Sequence, residues 1–361
     1  MKKLNLFLVL IALSSMFLIS CGGSENKSEA RKMDPKLDSL ITNLAACEQQ
    51  NTNCEAYLKA SEGIQAMAKD TSIKFLVDDL FNGIAQSTSG KRSAACAHAI
   101  NFWVGTSDFY NNPAYGKIVL EALKKEKFDQ NSYVGSTLGQ LLSGWLVTED
   151  EALLTDIHAA LADKNTEQRG RMELIRLSSD KSFAKKGQLD LLIKIAKDST
   201  EAEEVRRGCL GVLWRAKDAA QYQKVEDLYL EFLKNKSKDL VGGALEGLGY
   251  MKSVKAYAKV LETVEKFGAD ENYSSAAARS LSNYIAGDAK EGIDNNKAFT
   301  IAVKMLNNKS LKPFYRSSYI YAVENFGGKK AQDVLAKIAA AGEKDIAEPA
   351  KQALQRLKNK G

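Results

Sequence analysis

Glu203-Glu204-Val205-Arg206-Arg207-Gly208-Cys209-Leu210-Gly211-Val212-Leu213-Trp214 sets the pattern that the rest of the chain repeats. Val205, Cys209, Leu210 and Leu213 fall three or four residues apart, so they share one face of a helix. Gly208, Cys209 and Gly211 keep its centre thin. Glu203 and Glu204 lie in the first turn, where carboxylates complement the helix dipole. Weaker copies recur over most of the chain, and a second helical pattern precedes each.

The copies span residues 91–104, 132–145, 167–177, 203–216, 240–251, 274–285, 313–326 and 346–357. Aligning Ile100, Leu141, Leu174, Leu213, Leu248, Leu281, Val323 and Leu354 gives steps of 31–42 residues, the period of helical-repeat arrays. Four positions earlier stand Cys96, Thr137, Gly170, Cys209, Ala244, Ala277 and Ala350, small enough for neighbouring helices to approach closely. Tyr319 interrupts that series, and the pair around it is expected to be splayed. The preceding helices are predicted at 72–85, 114–125, 150–162, 187–197, 222–234, 254–267, 296–306 and 331–341, each with one apolar face.

This pattern resembles HEAT or armadillo-type repeats, most closely at Val205-Arg206 with Cys209, Leu210 and Leu213. The resemblance covers residues 71–358 and implies an all-α fold, an α-solenoid of helical hairpins. Each hairpin then buries its apolar face only against its neighbours, so stability is a sum of unit and interface terms. Residues 34–70, poor in the pattern, read as an N-terminal helical cap, and 71–361 as the solenoid. Within the cap, Asp34 reads as a helix cap with Pro35 at the first position.

The N-terminus points to a membrane. Lys2 and Lys3 precede the apolar run 4–19, and Leu18-Ile19-Ser20-Cys21-Gly22 resembles a bacterial lipobox. That resemblance implies removal of residues 1–20 and acylation of Cys21, with 21–33 as a flexible tether. The apolar run is short of the ~20 residues of a spanning helix, whereas several acyl chains give a stable anchor at ~0.8 kcal/mol per buried methylene. No Asp follows Cys21 at the next position; by resemblance to enterobacterial lipoproteins, that favours the outer membrane. Losing Lys2 and Lys3 lowers the net charge from +6 to +4, too little to suggest nucleic acid as a partner. A 45% hydrophobic content with only four prolines suits a well-packed helical body. In an exported chain Cys47 and Cys54, flanking a helical turn, form a bridge or remain two thiols. Cys96 and Cys209 read as buried thiols.

Chemistry is sparse. His98 and His158 are the only histidines, neither at metal-ligand spacing. No Gly-x-Ser-x-Gly elbow, phosphate loop or EF-hand occurs, so no cofactor, metal or catalytic residue is assigned. The carboxylates 201, 203 and 204, and 149–151, sit at helix starts and read as caps. Two rows carry a second meaning. Arg92, Arg169, Arg206 and Arg316 lie near the starts of second helices. They form either ion-pair ladders between repeats or a guanidinium line holding an acidic partner, with Arg206 and Arg316 as the candidates. Trp103, Trp145, Tyr284 and Phe326 recur at repeat spacing, with Trp214 and Tyr250 nearby, as core or as anchors for a peptide or glycan. Tyr315, Tyr319 and Tyr321 make their stretch the most aromatic and the first choice for a contact site. The expected role is a lipid-anchored envelope scaffold that holds another protein in its groove, with a glycan-binding module as the alternative.

Overall fold

A computed structural model describes residues 32–47, 53–70, 75–105, 107–125, 133–146, 151–178, 188–216, 219–287 and 290–360. The signal and lipobox residues, Cys21 among them, lie outside the described residues. The described chain is all-α, with no strand among the described residues.

The first hairpin joins α1 (Pro35–Ala46) and α2 (Glu55–Lys69). Asp34 accepts from the amides of Lys36 at 2.9 Å and Leu37 at 3.1 Å, and Pro35 opens the helix. A disulfide joins Cys47 to Cys54 across the turn. Eight further hairpins follow. They are α3 (Leu76–Ala85) with α4 (Gly90–Trp103), α5 (Pro113–Lys125) with α6 (Tyr133–Leu146), and α7 (Glu151–Ala162) with α8 (Gln168–Leu177). Then come α9 (Gln188–Lys197) with α10 (Glu203–Leu213), α11 (Ala219–Phe232) with α12 (Lys238–Met251), and α13 (Val254–Phe267) with α14 (Glu271–Ile285). The next pairs α15 (Asn295–Leu306) with a broken helix, α16 (Pro313–Ser317) and α17 (Ile320–Phe326). The last joins α18 (Gly328–Ala340) to α19 (Lys344–Lys360). A 3-10 turn at Asp108–Asn111, absent from the periodicity, precedes α5. Polar caps start many helices: Ser237 accepts from the Leu240 amide at 3.2 Å, Ser253 from Ala256 at 2.9 Å, and Asp294 from Asn296 at 3.0 Å.

The hairpins stack into a two-layered solenoid. Second helices α4, α6, α8, α10, α12, α14, α17 and α19 touch in succession, and α1 lies against α4. First helices touch one another more lightly, so the second-helix layer is the inner side of the curve. Small residues cause the difference. Cys96, Cys209, Ala244, Ala277 and Ala350 are fully buried at the aligned positions. At Gly249 a methyl group would stand 2.7 Å from the Ser280 Cα, so α12 and α14 meet backbone to backbone. The core is one continuous apolar cluster from Leu37 to Leu357. Burial pushes the Cys96 and Cys209 thiols up to about 12, which leaves them protonated and unreactive.

The pair around Tyr319 is not splayed. Between Ser317 and Ile320 the helix tightens to i→i−3 bonds, Tyr319 N–H donating to the Arg316 carbonyl at 3.0 Å, while the backbone stays in the right-handed helical region. Tyr319 turns fully inward and its hydroxyl donates to the Gly268 carbonyl at 2.8 Å. Both halves keep contact with α14 and α19.

Charge pairs tie neighbouring hairpins at the repeat spacing: Lys164 to Asp198, Lys197 to Glu231 and Lys238 to Asp270, each at 2.7 Å. Solvent-exposed pairs of this kind contribute ~0.2–1 kcal/mol each, enough to favour one register of stacking over its neighbours. No described helix is long and apolar enough to cross a membrane.

Candidate interaction surface on the second helices

The arginines divide into fasteners and surface groups. Arg171, Arg206 and Arg316 each send their Nε–H to a carbonyl ten residues back, at the end of their own first helix. The acceptors are Leu161 at 3.1 Å, Ala196 at 2.9 Å and Leu306 at 2.9 Å. Each bond satisfies a carbonyl that has no partner within its helix. Arg171 also grips Glu201 through two bonds, at 2.9 and 2.7 Å, both side chains being buried. Arg316 grips Glu343 through one nitrogen, its Nη1 donating to both carboxylate oxygens at 2.8 Å. Glu201 is thus more than a helix-start carboxylate: it locks one hairpin to the next, and the Arg171 guanidinium holds its carboxyl below the usual range.

These bonds correct three readings. Arg316 is buried, so its guanidinium is closed to a partner. Tyr319, also buried, is closed for the same reason. The fastener in α8 is Arg171 rather than Arg169, which aligns Leu174 with Cys209 and shifts that repeat by one helical turn. The signal lay in the sequence, as an arginine ten residues after a first-helix end; apolar alignment alone could not choose between adjacent turns. Arg206 is half-buried against the Phe232 ring, 5.8 Å from its centroid. Arg92 pairs with Asp38.

The aromatics divide similarly. Trp103, Trp145 and Tyr284 are core, and Phe326 packs half-buried on Phe299. The Tyr284 hydroxyl donates to the Ser253 carbonyl at 3.0 Å. Tyr315 is half-buried, whereas Tyr250, Phe314 and Tyr321 are exposed. Trp214 stacks on Tyr250 at 4.7 Å, carries the Arg215 guanidinium over its ring at 4.8 Å, and donates Nε1–H to the Gly211 carbonyl at 3.0 Å.

The outer face of the second helices therefore has a distinctive composition. Every arginine of the described residues lies on a second helix or, for Arg215, just after α10. From α6 to α17 those helices carry one lysine, Lys238. Over the same span, first helices carry Lys194, Lys197, Lys224, Lys255, Lys259, Lys266, Lys297 and Lys304. Enrichment in arginine and aromatics with depletion of lysine is the signature of a protein interface. Arginines on this face are neutralised in place: Arg176 by Glu173 at 2.7 Å, Arg279 by Glu246 at 2.6 Å, and Arg356 by Glu324 at 2.7 Å. A shallow recess of about 360 Å³ opens between α14 and α17, lined by Ser275, Ala278, Arg279, Ser282, Ser318 and Tyr321.

Among the described residues, no group of three or more His, Cys, Asp or Glu could hold a metal ion. His98 is buried beside Tyr57 and Trp103, with Nε2 3.3 Å from the Tyr57 hydroxyl. Burial lowers its imidazole to about 4, which keeps it neutral.

No protein-family model and no curated protein sequence matches this chain. Its fold is similar to that of importin-β. A crystal structure of importin-β in ammonium sulfate aligns with a TM-score of 0.56 at 13% identity, over 89% of this chain and 46% of that one. A structure of Kap95p with RanGDP aligns at 0.52 and 10% identity, over 88% and 45%. Yeast importin-β aligns at 0.50 and 11%, over 87% and 45%. This chain spans less than half the length of each. At such identities the likeness establishes the HEAT-like solenoid architecture.

Proposed function

We propose that this protein is a lipid-anchored scaffold of a bacterial envelope, most consistent with the outer membrane, that holds another protein against its second-helix face. One observation carries the reading: from α6 to α17, arginine and exposed aromatic residues gather on that face while lysine, Lys238 apart, is kept to the other layer. Solvation alone gives no reason for such a division, since both layers are equally able to hold lysine in water. The importin-like solenoids supply an architecture in which stacked second helices offer a long inner surface. The lipobox resemblance supplies the anchor, through acylated Cys21 and the tether to residue 33. The reading assigns the chain no reaction, metal or cofactor.

Two experiments test it. A photo-crosslinking amino acid placed at Gly211 should capture a discrete protein partner in the native envelope, and one at Lys259 should not. Capture from Lys259 alone would reverse the assignment of the face. Cys21→Ser should abolish acyl labelling and move the protein to the soluble fraction; unchanged membrane retention would refute the anchor.

The glycan alternative is less well supported. Sugar platforms need an open aromatic face, and the Trp214 indole has Tyr250 stacked on it and Arg215 over it.

A further inference from the structure

We propose that the recess between α14 and α17 is the specificity pocket of this surface. It takes one large apolar or aromatic side chain from an extended, electroneutral segment of the partner protein. The proposal rests on the scaffold reading and goes beyond it by naming the pocket and the chemistry of its occupant.

The recess opens where the second helix tightens at Ser318 and Tyr319. Tyr319 turns inward to the Gly268 carbonyl, and Tyr321, two residues on along a backbone that stays helical, faces outward, 64% exposed, in the register that Arg279 holds in α14. The floor facing it is cut low by Ser275, Ala278, Ser282 and Ser318. Its volume, about 360 Å³, lies at the low end of ligand pockets at roughly 300–1,000 Å³. That admits one side chain rather than a folded element.

Charge then selects the occupant. Arg279 forms one wall but is bonded to Glu246 at 2.6 Å. Across Tyr321, Arg356 is bidentate on Glu324 at 2.8 and 2.7 Å. Neither guanidinium brings uncompensated charge to the recess, so an acidic segment gains little and would have to displace an existing carboxylate. Polar groups remain to meet a peptide backbone: the Ser282 hydroxyl in the floor accepts from the Asn325 side-chain amide at 2.7 Å and keeps its own proton to donate.

A second anchor lies on a continuous path. Glu246, which holds Arg279, is one helical turn before Tyr250, and Tyr250 is exposed and stiffened by its stack on Trp214. From α12 to the recess between α14 and α17 is about one and a half helix spacings of ~8–10 Å each. An extended chain covers those ~12–15 Å in about four or five residues at about 3.3 Å each. The partner segment thus carries two large apolar side chains about four or five positions apart.

The test uses the purified full chain and phage-displayed random linear dodecapeptides as the probe. Enriched peptides are then synthesised and their affinity measured by fluorescence anisotropy. The expected peptides have near-zero net charge and two aromatic or large aliphatic residues at that spacing. Their Kd should change less than threefold between low and high salt. It should weaken at least tenfold in Tyr321→Ser, and likewise in Ser275→Phe, which fills the recess. Tyr321 is exposed, and retained helical circular dichroism verifies folding of both variants. An acidic consensus with steep salt dependence, no enrichment, indifference to both variants, or displacement of the peptides by N-acetylglucosamine hexasaccharide would each overturn the proposal. If the Gly211 photo-crosslink still captures its partner while Tyr321→Ser changes nothing, the scaffold stands and this pocket falls.

Discussion

Gly249 and Gly211 are both glycines inside second helices, yet replacing each by alanine should move stability in opposite directions. An alanine in a helix interior is favoured over glycine by about 1 kcal/mol, because the glycine backbone loses more freedom on folding. At Gly211 nothing lies within 4 Å of the added methyl, so Gly211→Ala should realise that gain in full. At Gly249 the methyl would lie 2.7 Å from the Ser280 Cα, 2.9 Å from its Oγ and 3.0 Å from its carbonyl oxygen. Backbone cannot rotate aside, so α12 and α14 must part by several tenths of an ångström, loosening their whole contact. Overpacking of this kind costs ~1–3 kcal/mol, and separation forfeits dispersion energy along the interface. Set against the helix gain, Gly249→Ala should lose about 1–2 kcal/mol net, leaving the two variants roughly 2–3 kcal/mol apart. Solenoids need not unfold in one step, so hydrogen exchange of the α12 and α14 amides should accompany urea melts followed by circular dichroism. Gly249→Ala should speed exchange there and lower the midpoint, while Gly211→Ala raises it. If Gly249→Ala proves as stabilising as Gly211→Ala, the two helices do not meet at this register and the close inner layer is wrong.

Other perturbations follow from the fasteners and the buried imidazole. Arg171→Met should cost ~3–4 kcal/mol in urea melts, since it strands the buried Glu201 carboxylate. Arg316→Met should cost only ~1–2 kcal/mol, because its partner Glu343 is 39% exposed and water can take over. Equal losses would refute the difference in burial. The His98 imidazole titrates near 4 in the fold against 6.5 ordinarily, so the unfolded chain binds a proton across that window that the fold refuses. Stability should therefore decline as pH falls from 6.5 towards 4, by up to ~3 kcal/mol, and His98→Leu should flatten that slope. Replacing Cys47 and Cys54 together by alanine should cost ~2–3 kcal/mol from the short loop, confined to exchange in α1 and α2.

Periodicity made the helices legible because an amphipathic helix writes its buried face into the chain at fixed intervals. The aligned residues from Ile100 to Val323 are buried, with Leu354 packed against them, and the small residues one turn earlier mark where helices approach. Periodicity set Tyr319 in register with the buried Cys209 and Ala277, and Tyr321 with the exposed Arg279; it could not say how a ring is housed where a small residue usually stands. Tyr315 is half-buried, Tyr319 fully enclosed and Tyr321 exposed. The site for the Tyr319 ring is supplied by the preceding hairpin, whose Gly268 carbonyl accepts from its hydroxyl. Arg171 escaped notice for a related reason: its partners lie 10 residues back and 30 residues ahead, in two different hairpins.

The sequence by itself determined the helical hairpins, their spacing, the apolar faces and the resemblance to a lipoprotein start, because these are written within a few turns of chain. Tertiary structure alone decided which arginines fasten hairpins and which reach the surface, which aromatics face water, and where a recess opens. Those outcomes are set by what the adjacent hairpin places opposite each side chain, at distances along the chain where local periodicity carries no information.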